Sequence, residues 1–276
     1  MNPKSNREGM TQLLFEGFQC PAVHFQIQAV LALYSVGRTE GLIVDSGDGV
    51  THAVPVYEGH SIPSAVRRLE IAGRDLTEWM MELLNDETGH VFSTSADREI
   101  ARNIKESSCV VSLNFDADLE AAEKGSYPSS PYVLPDGETI HLCKAKFCCA
   151  ELLFNPLLGE KHGVPLQQLV NDSVQHCPID LRRTLLNNVI LSGGSTMFAD
   201  LDKRLQAEIA TLCNPRVRND VRVIAPNERK FSVWMGAALL SSLTSFTAEW
   251  VTRQEYEEHG ASIVHRRCDA LTFVER

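Results

Sequence analysis

Apolar positions along this chain fall into short continuous runs at strand length and into stripes at helical spacing, with polar turns between them. Met10, Leu13, Leu14 and Phe18 lie on one helical face, behind Asn2 as a possible cap and Pro3 at the first helical position. A short strand-like run follows Pro21, and Gln28 to Tyr34 reads as a second short helix. Gly41, Leu42, Ile43 and Val44 then form a buried strand that breaks into DSGDGVTH, residues 45 to 52, with a hairpin through THAVPVYEG. Leu76, Trp79, Met80, Leu83 and Leu84 recur at helical spacing after residues 73 to 75, and Ile100, Ile104 and Lys105 predict a helix starting after Thr94 or Ser95. Asp116 to Pro131 is polar, charged and proline-punctuated, which predicts an exposed loop. Tyr132 to Leu142 reads as a hairpin around Pro135, Asp136 and Gly137, and Pro165 opens a helix carrying Leu166, Leu169, Val170 and Val174. Asn188 to Leu191 is a second strand that ends in SGGST, residues 192 to 196, before Leu201, Leu205, Ile209 and Leu212 at helical spacing. Thr252 and Glu255 form a capping box for a helix running through Tyr256. Strands alternating with helices in this way indicate an α/β fold.

The two strand ends carry the candidate chemistry. Glycines at 47 and 49 let successive amides converge on an anion, while Asp45 at the end of the strand can hold a metal ion's water. An ordinary Asp-Gly hairpin turn has the same pattern. The SGGST turn precedes a helical stripe, so its amides are expected near a helix N-terminus that favours an anion; a plain strand-to-helix connection reads the same way.

Composition narrows the class. With 43% hydrophobic and 22% charged residues the chain has the balance of a folded soluble protein, large enough for one large or two ordinary domains. Twenty-six basic against thirty-six acidic residues give a formal charge of −10, which opposes non-specific attraction to nucleic acid or anionic lipid. The 8 cysteines show no CxxC spacing and read as reduced thiols; the 9 histidines include no HExxH, and no apolar run reaches membrane-spanning length. The cytosol is the expected compartment, with the nucleus as an alternative.

The chain resembles actin and the actin-related proteins. The strings that carry this are NPKSNRE (2 to 8), IQAVLALY (27 to 34), VDSGDGVTHAVPVYEG (44 to 59), IAGRDL (71 to 76), NIKE (103 to 106), LPDG (134 to 137), VILSGGSTMF (189 to 198), PNERKFSVWMGA (226 to 237) and RQEYEEHGASIVHRRC (253 to 268). The resemblance implies an actin-like ATPase (ribonuclease-H-like) fold with one lobe complete and the other partial, because the family's N-terminal half-domain with its first phosphate loop has no counterpart before Asn2. A truncated family member is therefore expected. Residues 1–34 and 231–276 would form the partial first lobe, 35–72 and 163–230 the core of the second lobe, and 73–162 a smaller insertion in it.

The resemblance also implies ATP or ADP with magnesium, or calcium, in a cleft between the lobes. Asp45 would hold the metal through water, the backbone of Gly47, Asp48, Gly49 and Val50 would form the second phosphate loop, and the Asp48 carboxylate would lie near the ribose. Gln28 would position an attacking water with His52 as its helper. Without the family these are a helix-start and a strand residue. Gly73, Arg102, Lys105 and Glu106 would approach the nucleoside, with Glu106 accepting from a ribose hydroxyl and Lys105 along the base. Gly194, Ser195, Met197 and Phe198 would line the phosphate and adenine side, with Lys230 across the purine; Phe198 stands where relatives often have tyrosine.

In function the resemblance implies a cytoskeletal protein whose slow ATP turnover is an assembly switch, with actin or actin-related subunits and actin-binding proteins as partners. The alternatives are a non-catalytic interaction subunit of a cytoskeletal or chromatin complex, an inactive fragment, and a sugar kinase or chaperone ATPase of the same broad fold. The short loop PLLGEKHG, residues 156 to 163, and the tail from Asp269 to Arg276 depart from conventional actin and put ordinary filament contacts in question.

Overall fold

The computed structural model describes residues 3–268. Its strands, in chain order, are β1 (Ala22–Val23), β2 (Gly41–Ser46), β3 (Thr51–Tyr57), β4 (His60–Ser61), β5 (Arg67–Leu69), β6 (Ser130–Val133), β7 (Thr139–Leu142), β8 (Val189–Ser192), β9 (Val223–Ile224) and β10 (Val251–Thr252). The central sheet runs β4-β3-β2-β8-β9, with β5 pairing to β3; β1 pairs with β10 and β6 with β7 in separate ribbons. Strand β2 is antiparallel to β3 and parallel to β8, so Asp45 lies between His52 on one side and Ser192 on the other.

Both faces of β2 are covered, which is why its sequence is a continuous apolar run rather than an alternation. Ile43, with Val54, Val56 and Ile190, packs on Ala29, Val30, Ala32 and Leu33 of a covering helix. Leu42, Val44 and Ala53 face the other way, into the largest core, with Leu76, Ile104, Leu166, Val170, Leu205 and others. A third core joins Phe15 and Val23 to Val251, Ile263 and Val264.

The helices bear on the sequence reading one by one. Helix α1 (Lys4–Gln12) starts after Pro3, which occupies the cap position rather than the first helical one; Asn2 lies outside the described residues. The expected apolar face of α1 is not the buried one. A π turn, Leu13–Gly17, follows α1, and Arg7, Thr11 and Phe15 are the residues that turn inward, while Leu13 and Phe18 remain 56% and 70% exposed. Arg7, Thr11 and Phe15 follow one another at four-residue spacing and so share one face, and full burial of a ring such as that of Phe15 is worth about 1.5–3 kcal/mol.

Helices α2 (Gln28–Ser35), α3 (Gly73–Thr88) and α4 (Ser95–Ser108) fall where the periodicity places them, α4 with Thr94 as its cap accepting from Asp97 N at 3.2 Å. The polar stretch after Asp116 is not one loop. Residues Phe115–Glu123 form α5, because Asn114 accepts from Ala117 N at 3.3 Å and Asp116 and Asp118 sit in the first turn, where acidic charge favours a helix start.

Helices α6 (Ala145–Glu151), α7 (Leu166–Gln175) and α8 (Ile179–Leu186) complete the large core, and α9 (Leu201–Leu212) follows β8. The SGGST turn does not run straight into α9. Gly194–Thr196 form a separate 3-10 turn and Asp200, in the left-handed region at φ 64°, intervenes, so the turn's amides are not the helix N-terminus expected from the sequence. Helix α10 (Ser232–Ser242) crosses α2 closely, and α11 (Arg253–His259) and α12 (Val264–Arg267) close the described chain. Thr252 and Glu255 make the expected capping box on α11.

Candidate functional site

Three turns from distant parts of the chain meet above the end of β2. The DSGDG turn is closed by Gly47 N–H donating to Val50 O at 3.1 Å. Its own carbonyls then accept from both neighbours: Gly47 O takes Gly73 N–H at 2.9 Å and the Ser195 hydroxyl at 2.7 Å, and Asp48 O takes Arg74 N–H at 2.8 Å. The first turn of α3 and the SGGST turn are thereby fastened to one peptide. Among the described residues the N–H groups of Asp48 and Gly49 make no backbone hydrogen bond, which leaves them as donors for an anion.

Two glycines permit this approach. A β-carbon on Gly73 would lie 3.1 Å from Gly47 O, and one on Gly193, at φ 91°, would lie 2.2 Å from Ser46 O. Side chains are thus excluded where the three backbones touch.

Lys105 rises from α4 beneath the first turn of α3. It is buried, and its Nζ donates to Gly73 O and to Thr77 Oγ1, both at 2.8 Å; burial pushes its pKa below the usual lysine value. The ammonium therefore secures the first turn of α3. The N–H of Ala72 is capped by the Asp75 carboxylate at 3.1 Å.

These elements enclose a cavity of about 470 Å³. The DSGDG turn contributes Gly47 and Asp48, α3 contributes Gly73, and α4 contributes Arg102, Lys105 and Glu106. Gly194, Ser195, Met197 and Phe198 form the opposite wall, with Lys230 beside them. All of these are residues to which the family resemblance pointed. Gln28, Asp45, Gly49, Val50 and His52 do not line this cavity. Asp45 and His52 face each other across β2 and β3, and Gln28 opens the helix that covers that side of the sheet. Burial, and then the charge of Arg68, hold the His52 imidazole below its ordinary value of 6.5, so it is neutral at pH 7.

A second cavity, of 320 Å³, shares Asp48 and Arg102 with the first and adds Arg74, Thr77, Ser95, Arg98 and Glu99. Arg74 and Thr77 did not emerge from the sequence reading, although Arg74 directly follows Gly73. Arg74 pairs with the Asp48 carboxylate at 3.2 Å, so that carboxylate is shared between the two cavities.

Comparison of the sequence with family models gives a match to the family described as Actin over residues 1–269. The chain belongs to the actin family. That match spans every element of the site, from Gln28 to Lys230, and agrees with the mixed helix and sheet content. Among the described residues no helix of this actin-family chain is long and apolar enough to cross a membrane. Seven of its cysteines, Cys20 through Cys213, are free thiols.

The family binds nucleotide with a divalent cation, and the donor set present suits that arrangement. No three His, Cys, Asp or Glu side chains gather as a metal cage among the described residues. Magnesium is commonly held by one or two carboxylates, waters and the substrate's phosphates instead. Asp45 is half-buried at the end of β2, and among the described residues its carboxylate makes no ion pair or hydrogen bond, so it is available for such a role.

Proposed function

We propose that this actin-like protein binds ATP or ADP with magnesium, or calcium, in the 470 Å³ cavity, and that slow hydrolysis serves as an assembly switch. One observation carries the reading: the cavity is walled by residues from five separated stretches of chain that the family resemblance assigns to nucleoside and phosphates. Free amides at Asp48 and Gly49, the first turn of α3 and the Lys105 charge all favour an anion at the inner end. The bound cation would supply charge neutralisation at the phosphates, with Asp45 ordering its water. Neutral His52 can accept a hydrogen bond from a water, and Gln28 can orient one, which is most of what phosphoryl transfer to water asks of side chains. The residue roles, the two-lobed division at residues 34–35 and 230–231, a cytoplasmic and cytoskeletal setting and actin-type partners belong to this proposal.

The experiment is direct. Asp45→Ala is expected to abolish magnesium-dependent ATP binding while the wild-type melt shifts upward with the ligand, by about 2.7 kcal/mol at a hundred times the dissociation constant. Unchanged affinity in the variant overturns the assignment.

A second reading, a non-catalytic interaction subunit, is favoured by one feature. Trp234 on α10 is 73% exposed and Phe231 beside it 60% exposed, large apolar groups of the kind that partners cover. Stable copurification with large partners and no bound nucleotide would support it over the first.

A further inference from the structure

Two arginines are buried within the described residues of the central region, and they are treated differently. Arg204 on α9 has carboxylate partners: Glu151 accepts from Nη2 at 2.9 Å and Glu208 from Nε at 2.7 Å. Arg229, only 9% exposed, forms no ion pair among the described residues. Its donors go to main-chain carbonyls alone: Nε and Nη2 to Thr196 O at 3.1 and 2.9 Å, and Nη1 to Pro226 O at 3.0 Å. Its own carbonyl accepts from Gly193 N–H at 3.0 Å and from the Ser232 hydroxyl at 3.1 Å. Both ends of the residue therefore grip the SGGST turn, and Lys230, the next residue, lines the cavity. Asp202 on α9 is the acid whose charge reaches the guanidinium, without contact.

Burying a guanidinium without a carboxylate is costly, and a neutral side chain or an Arg-carboxylate pair could brace a turn at lower cost. The positive charge left over lies against Thr196 O of the SGGST turn, whose Gly194 and Ser195 line the cavity. We infer that Arg229 is a positioning residue for the candidate nucleotide site: it braces the SGGST turn, which Ser195 in turn fastens to Gly47 O of the DSGDG turn, and supplies a fixed cation that favours an anionic ligand in the cavity. The inference rests on the nucleotide reading above, and it adds a residue outside the cavity wall that sets preference for phosphate over the uncharged nucleoside.

The test compares the full chain with Arg229→Met and Arg229→Lys, measuring equilibrium affinity for magnesium ATP and for adenosine alongside the melt without ligand. Arg229→Met is expected to weaken ATP by about tenfold or more while adenosine changes less than about threefold, because only the phosphates sense the lost charge. Arg229→Lys keeps the charge without the planar fork and is expected to retain the ATP-to-adenosine preference of the wild type even if its melt falls. Equal loss of both ligands in Arg229→Met, or loss of the preference in Arg229→Lys, overturns the role. If Arg229→Met does not fold, the lysine variant decides alone by that ratio. A wild-type chain that binds neither ligand overturns the nucleotide reading itself, and the inference with it; wild-type binding with an unchanged Arg229→Met overturns the inference only.

Discussion

Gly73 and Ser195 approach so closely that a β-carbon on Gly73 would lie 2.6 Å from Ser195 Oγ, the hydroxyl that donates to Gly47 O at 2.7 Å. One methyl group at residue 73 would therefore displace the bond that ties the two glycine-bearing turns together. Gly73→Ala is expected to lower stability by about 1 kcal/mol, the net worth of one hydrogen bond, and to remove most of the ATP-induced rise in melting temperature. Thermal unfolding with and without magnesium ATP checks both parts. A variant whose melt still shifts fully with ATP would show that the turns need not touch.

The crossing of α10 and α2 gives a prediction in which two effects oppose. Glycine to alanine inside a helix ordinarily gains about 1 kcal/mol. At Gly236 the new β-carbon would sit 1.8 Å from Leu31 O, so the helices must separate, and such overpacking typically costs about 1–3 kcal/mol or more. Gly236→Ala is expected to be clearly destabilised. Gly9→Ala, in α1 with nothing within 4 Å of the added atom, is expected to be stabilised. Urea unfolding of the two variants side by side reads the sign of each.

Arg204 ties α9 to α6 through Glu151, donates from Nη1 to Ser112 O at 2.6 Å, and lies 4.8 Å over the Phe154 ring. Removing one partner leaves a buried charge, so Glu151→Gln or Arg204→Met alone is expected to cost about 3–5 kcal/mol. The double variant is expected to recover much of that loss. A double-mutant cycle by chemical denaturation measures it, and additive losses would deny the coupling.

The α11 cap predicts an acid-side loss of stability. The Thr252 N–H and Arg267 hold the Glu255 carboxyl down to about 2 from its ordinary 4.5. A lowered folded-state value means the ionised carboxylate stabilises the native chain above the ordinary value, and that this contribution is lost as pH falls from about 4.5 toward about 2. Glu255→Gln should melt with a flatter pH dependence in that window than the wild type. Identical slopes would sink the assignment.

His52 acts in the same direction at higher pH. Its imidazole is held below 6.5 by burial first, so the native chain binds fewer protons than the unfolded one and stability falls as pH drops below that value. An NMR titration of the ring should show a midpoint below 6.5; a midpoint above it would contradict a half-buried imidazole that is neutral at pH 7.

Much of the secondary structure was legible because the signals are local. The apolar run before Asp45, the Thr94 and Thr252 caps, and the stripes of α3, α7 and α9 depend on neighbours within a few residues. The misreadings came where local signals compete. In Asp116 to Pro131 polarity suggested a loop, while Asn114 and the acidic first turn formed α5. In α1 the apolar stripe was correctly helical but wrongly faced: the buried face is that of Arg7, Thr11 and Phe15, and no periodicity reveals the π turn over Leu13–Gly17.

By itself the sequence determined the α/β character, the two glycine-bearing turns at strand ends and, through its motif strings, the actin family that the match over residues 1–269 shows. Only the tertiary structure decided that Gly47 O receives donors from both Gly73 and Ser195, that Lys105 donates to Gly73 O and the Thr77 hydroxyl while Arg229 donates to main-chain carbonyls, and that the glycine-bearing turns, α3 and α4 enclose a cavity. The reason is physical. Strand, cap and stripe follow from steric and hydrogen-bonding preferences of nearby residues, whereas which backbones approach to contact depends on how packed layers cross, and the positions that permit it, Gly73 and Gly193, carry no side chain to announce their partners.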